Sequence, residues 1–280
     1  MRTDGAGTAT RFAFSTLGVP GLPVPEVLRL AGDAGYQGVE LRAHPEEPVH
    51  PLLGMRERAV VRRQFADAGV AVLAVAGYPR VAAARDAAGE AEVARELTEL
   101  VLLAADLGAR FVRVFPGGGD RPAAEAEADA ARRLAAVAPL AADRGVRVLL
   151  ETHDSHRTGA SVGRILKRVG HPGAGALWDV LHCWLGGERP ADTRAALAPY
   201  LGYVQVKDVA SAEDTTPLPL GAGRLPLADV LAALGNGSAP GGWLCWEYEK
   251  RWYPAAAELP ALLAPGRAHL QRLLGTAPAP

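Results

Sequence analysis

The stretch VRVLLETHD, residues 146–154, opens on an apolar run and closes on charged and polar residues. A short run rich in Val and Leu, apolar at nearly every position, suits a parallel strand buried on both faces. Seven other runs share this character: RFAFSTL (11–17), GVELR (38–42), VAVLAVA (70–76), RFVRVFP (110–116), GALWD (175–179), YVQVKD (203–208) and WLCWEYE (243–249). Stretches of helical period separate them, at 24–35, 54–69, 89–108, 124–144, 158–170, 190–200 and 226–235, with another at 255–274. Pro25 suits a first helical turn, where its missing N–H costs nothing. Four of the helix candidates end in DAGY, DAGV, DLGA and DRGV, which place Gly35, Gly69, Gly108 and Gly145 to take the left-handed turn before the next strand. Eight such units predict an α/β fold closed into a (β/α)₈ TIM barrel. The rival, an open doubly wound sheet, would show a Gly-rich phosphate loop after its first strand, and FSTLGVPGLP (14–23) is not one.

The length of 280 residues suits one barrel domain over the whole chain, 1–280, with mobile tails expected at 1–10 and 275–280. PGGGDRP (116–122) and ASAEDTTPLPLGAGRLP (210–226) read as rim loops rather than linkers. A net charge of −1 without a basic stripe gives nucleic acid no electrostatic footprint. The apolar runs are too short for a membrane span, and the first ten residues lack the apolar core of a signal peptide. Two cysteines, Cys183 and Cys245, are too few for a disulfide framework, and a reduced cytoplasmic setting is expected.

Active sites of such barrels lie where strands end. The fifth strand ends in Glu151, followed by Thr152, His153 and Asp154; the sixth ends in Asp179, with His182 three residues on. The seventh carries Gln205, Lys207 and Asp208, and the eighth carries Glu247 and Glu249 on one side by strand alternation. Three carboxylates meeting at one mouth repel, and burying them uncompensated is costly. A divalent cation is the simplest compensation, and oxygen ligands favour Mg²⁺ or Mn²⁺. The alternative is a set of separately solvated rim carboxylates.

LLETHD (149–154), WDVLH (178–182), YVQVKD (203–208) and WEYE (246–249), with GVELR (38–42) and PLGAGRLPL (219–227), resemble the sugar isomerase/epimerase family with the xylose isomerase-like barrel. Ketose 3-epimerases, hydroxypyruvate isomerases and inosose dehydratases belong to it. The resemblance implies metal ligands Glu151, Asp179 and Glu247, with Gln205 standing where the family's HVKD motif has histidine. A Gln oxygen biases the ion toward Mn²⁺ or Mg²⁺, with Co²⁺ or Zn²⁺ still accommodated. It also implies that Glu151 and Glu247 exchange a proton with a substrate carbon, while the metal polarises the adjacent carbonyl. His182 matches a position that contacts substrate oxygen.

Other roles come from placement alone. His153 is expected to hydrogen-bond a ligand side chain. Lys207 binds a substrate oxygen or forms a salt bridge, for instance to Glu249. Arg42 pins a substrate carboxylate or, preferably, pairs with Glu40. Of the five tryptophans most read as packing, with Trp246 a candidate for stacking on a sugar. The expected function is metal-dependent isomerisation or epimerisation of a small keto-carbohydrate, by a chain that acts as a homodimer or monomer without nucleic-acid or membrane partners. The runner-up is a lyase acting on a keto-inositol or 3-keto-glycoside. An abasic-site nuclease, which needs a histidine-rich three-metal cluster and a basic face, and a silent binding barrel rank lower.

Overall fold

The computed structural model describes residues 10–235 and 242–275. The expected tails at 1–10 and 275–280 therefore fall outside the described residues, apart from Thr10 and Gly275. Eight parallel strands close into a barrel in chain order, with β1 paired to both β2 and β8. They are β1 Arg11–Ser15, β2 Gly38–Arg42, β3 Ala71–Arg80, β4 Phe111–Phe115, β5 Arg147–Glu151, β6 Ala174–Asp179, β7 Leu201–Val206 and β8 Trp243–Trp246. The outer helices are α1 Val24–Ala34, α2 Met55–Asp67, α3 Ala87–Leu107, α4 Ala123–Asp143, α5 Gly159–Val169, α6 Val180–Leu185, α7 Pro190–Leu197, α8 Leu227–Leu234 and α9 Leu259–Leu273. Among the described residues, no helix is long and apolar enough to cross a membrane.

The four glycines expected to end helices all have left-handed φ: +71° at Gly35, +64° at Gly69, +75° at Gly108 and +69° at Gly145. Two elements depart from expectation. β3 runs on to Arg80, and Phe115 of β4 pairs with that extension. The short helix α6 starts directly at the end of β6, because Asp179 caps it by accepting hydrogen bonds from the backbone N–H groups of Leu181 and His182.

The barrel interior is built in layers by strand alternation. Leu73, Phe111, Leu149, Leu177, Tyr203 and Trp243 belong to one buried apolar cluster inside it. Two residues further along their strands stand Arg113, Glu151, Asp179 and Gln205, all buried. The same step of two on β8 leads from Trp243 through Cys245 to Glu247, just past the strand end. An apolar floor therefore carries a polar layer above it. The floor excludes water from below and makes each unpaired charge above it expensive.

The opposite faces of the strands pack outward against the helices. On α5, Val162, Ile165 and Leu166 recur at helical spacing and are buried. Each such side chain contributes about 1.5–3 kcal/mol when fully buried. Trp246 belongs to this outward set: it is fully buried, and a Cβ added to Gly266 of α9 would lie 2.2 Å from its ring. The bare glycine backbone lets α9 sit against the indole. The expectation that Trp246 stacks on a sugar is thereby corrected, since its place is the barrel–helix interface.

Candidate active site

Glu151, Asp179 and Glu247 come from the ends of β5, β6 and β8, and each is at most 4% exposed. One oxygen from each lies within 4.8 Å of the others. Asp179 uses Oδ1 to cap α6, at 2.8 Å from the Leu181 nitrogen, which leaves Oδ2 turned to the cluster. Gln205 sits beside Asp179 in the β6–β7 register. Its amide nitrogen donates to Glu40 Oε1 and Oε2, both at 3.0 Å, and to Glu247 Oε1 at 3.1 Å. Its Oε1 then has no hydrogen-bond partner among the described residues, and neither does Glu151 Oε2. Two buried oxygen acceptors without hydrogen-bond donors, beside the Asp179 and Glu247 carboxylates brought together here, fit a hard divalent ion.

Two buried cations already share this charge. Lys207 is 3% exposed, and its ammonium contacts Asp179 Oδ2 at 2.7 Å, Glu249 Oε1 at 2.9 Å and Glu247. The Asp179 contact is a short ion pair that holds Oδ2 toward the ammonium. Arg113 Nε lies 3.3 Å from Glu151 Oε2 as a longer ion pair. Five carboxyl groups (Glu40, Glu151, Asp179, Glu247 and Glu249) therefore face two cations, and a deficit of positive charge remains.

That imbalance shows in the titration of the group. Burial pushes Glu151 well above the usual carboxylate range; Arg113 opposes this, while Glu247 and Asp179 add to it. Burial also raises Asp179, but Lys207 and His182 more than offset it and hold that carboxyl at about 2. Burial acts to lower Lys207, yet Asp179, Glu247 and Glu249 lift it well above its ordinary value. It stays charged at neutral pH. Burial drives His182 down to about 3, so its imidazole is neutral.

A cavity of about 510 Å³ opens above the cluster, large enough for a small carbohydrate. Glu151, Glu247 and His153 line it, with Arg42, Arg113 and Trp252. His153 does not bond a carboxylate of the cluster as expected. Its Nδ1 lies 3.3 Å from Asp154 Oδ2, and its ring sits between Phe115 and His182, with centroids 4.5 and 3.8 Å away. Glu151, His153 and His182 also form a second convergent group of possible ligands. Arg42 is paired, but with Glu47 at 2.6 Å rather than with Glu40, and it donates to the Tyr78 hydroxyl at 2.6 Å. Glu40 instead turns into the barrel and accepts from Tyr203 and Gln205. Lys207 forms the salt bridge to Glu249 that the spacing suggested and adds two more partners.

Arg113 and Trp252 escaped the reading of strand ends. Arg113 did leave a signal: it is a lone charge inside FVRVF, between two aromatic residues on the same strand face. Asp208, expected to begin a loop, organises it. Its carboxylate accepts from the backbone nitrogens of Gly221, Gly223 and Leu225 at 2.9, 2.9 and 3.1 Å.

A closed parallel barrel with a carboxylate cluster at the strand ends defines a class, and comparison with known proteins places the chain in it. Residues 28–273 match the family model for the xylose isomerase-like TIM barrel, and the chain belongs to that family. No curated protein sequence matches it. Solved structures share its fold at low identity. A D-psicose 3-epimerase crystallised in the presence of D-fructose is 17% identical, with a TM-score of 0.80 over 95% of this chain and 99% of that one. The IOLI protein with a bound zinc atom is 18% identical, with a TM-score of 0.80 over 96% and 100%. A probable 3-DHS dehydratase from Bacillus anthracis is 18% identical, with a TM-score of 0.75 over 95% and 98%.

Proposed function

We propose that this protein is a divalent-metal-dependent isomerase or epimerase of a small keto-carbohydrate. The observation that carries this reading is the meeting of Glu151, Asp179 and Glu247 within 4.8 Å, with Glu151 Oε2 and the neighbouring Gln205 Oε1 lacking hydrogen-bond donors and a cavity above. Glu151, Asp179, Gln205 and Glu247 would hold the ion. When bound, it polarises a substrate carbonyl and so acidifies the neighbouring C–H.

The chain's own groups do the rest. Glu151 and Glu247 both face the cavity, so one can remove a proton and the other return it. Glu151 is the group poised to carry a proton, because its buried carboxyl is held well above the ordinary range. Lys207 anchors Glu247 and Asp179 and keeps the cluster from opening under its own repulsion. The apolar floor keeps bulk water from quenching the exchanged proton. The likeness to a D-psicose 3-epimerase, at a TM-score of 0.80, supports the reading.

The test is proton exchange. Protein loaded with Mn²⁺ and incubated with a panel of ketoses, inososes and 3-keto-glycosides in D₂O should label one substrate carbon, followed by NMR. Glu151→Gln and Glu247→Gln should each slow labelling by at least about 100-fold. An enone product would assign elimination in place of epimerisation. A protein that binds no Mn²⁺ at neutral pH would falsify the proposal.

A further inference from the structure

We propose that Glu40 is a positioning residue that turns the Gln205 amide so that its oxygen is the atom offered to the ion. This rests on the metal site proposed above and adds what makes a glutamine serviceable in it.

Glu40 and Gln205 are both fully buried. They come from β2 and β7, which β8 and β1 separate, and they meet inside the barrel. The two ends of an amide are nearly equal in size, so hydrogen-bond partners decide which end points where. On one side of Gln205 those partners are carboxylates: Glu40 Oε1 and Oε2, both at 3.0 Å, and Glu247 Oε1 at 3.1 Å. An ionised carboxylate only accepts, so the NH₂ end must face it. The reverse orientation sets the amide oxygen against acceptors in a buried layer and turns two N–H donors toward a cation.

Of the two carboxylates, Glu40 is the one free for this task. Glu247 is itself a proposed ligand, lines the cavity and contacts Lys207. Glu40 is not among the residues that line the cavity, so it acts through Gln205 and not on a substrate. Tyr203, two residues before Gln205 on β7, holds it in place by donating its hydroxyl to Glu40 Oε2. Gln205 Oε1 is then the free end, buried and without a hydrogen-bond donor. An amide oxygen left in that state is a hard ligand for a divalent ion.

The experiment is calorimetric titration of Mn²⁺ into the full-length protein and two variants. An amide at position 40 both donates and accepts, so Glu40→Gln satisfies Gln205 in either orientation and the fixed one is lost. Loss of a partner behind a metal ligand costs about 10–100-fold in affinity, so Glu40→Gln should weaken Mn²⁺ binding at least about tenfold. Exchanging the pair, Glu40→Gln with Gln205→Glu, keeps the charge and the hydrogen bond and puts an oxygen at both ends of the side chain at 205. The exchanged pair should bind Mn²⁺ within about threefold of the parent, or more tightly. A smaller loss than tenfold in Glu40→Gln overturns the proposal. So does an exchanged pair that stays more than threefold weaker than the parent, and that second measurement decides alone if Glu40→Gln fails to fold. A parent protein that binds no Mn²⁺ sinks the metal reading and this inference together; parent binding that Glu40→Gln leaves unchanged sinks only the inference.

Discussion

Replacing Lys207 by Met keeps the side chain's length and apolar stem while removing its charge. The ammonium is 3% exposed and touches Asp179 at 2.7 Å, Glu249 at 2.9 Å and Glu247. A unit pair at that separation is worth about 6 kcal/mol at an effective dielectric of about 20, before the cost of desolvating the ammonium is counted. Breaking a buried pair from one side destabilises by about 3–5 kcal/mol, because the surviving charge is left uncompensated. We expect about 4 kcal/mol for Lys207→Met without metal, or about 8–16 °C in Tm for a chain of this size.

The pH dependence has a definite sign. Without the ammonium, the buried carboxyls hold protons to higher pH than in the unfolded chain. The native state then binds the extra protons, so stability falls as pH rises. The deficit should be larger at pH 8 than at pH 5. Mn²⁺ at 100 times its Kd should return about 2.7 kcal/mol. Urea unfolding in EDTA at the two pH values, then with Mn²⁺, reads all three quantities. A variant within 1 kcal/mol of the parent at pH 8 in EDTA would refute the idea that one ammonium holds this cluster together.

Two further expectations concern the scaffold. Glu90 accepts hydrogen bonds from Arg133 and Arg132, which hold its carboxyl at about 2. Glu90→Gln should cost about 1 kcal/mol at pH 7, after allowance for solvent screening of a partly exposed group. That contribution is present above the ordinary value near 4.5 and fades as pH falls toward about 2, so a gap of equal size at pH 7 and pH 3 would contradict it. Asp208→Ala removes the acceptor of three backbone N–H groups in the 210–226 loop and should cost about 2–3 kcal/mol. Limited proteolysis should cut the variant within that loop first; unchanged protection would show that the loop is held by other contacts.

The barrel was legible because its signals are local. Apolar runs of strand length, helical spacing and a glycine at four of the helix ends depend on neighbours within about ten residues, and Gly35, Gly69, Gly108 and Gly145 adopt the left-handed turn their positions implied. The ends of β5 and β6 were legible for the same reason, since an acid closing an apolar run marks where a strand meets the rim. Trp246 was misread although alternation already set it on the face opposite Glu247; Gly266, twenty residues on, shows that this face packs on α9.

Sequence by itself thus determined the repeat, the closure and the acids brought to one end of the barrel. Tertiary structure decided which partner each charge took. Glu40 turned to Tyr203 and Gln205, Arg42 to Glu47, Lys207 to three carboxylates, and Arg113 to Glu151. These contacts join residues up to 165 positions apart. They depend on the stagger between strands when the sheet closes, which no single stretch of chain encodes.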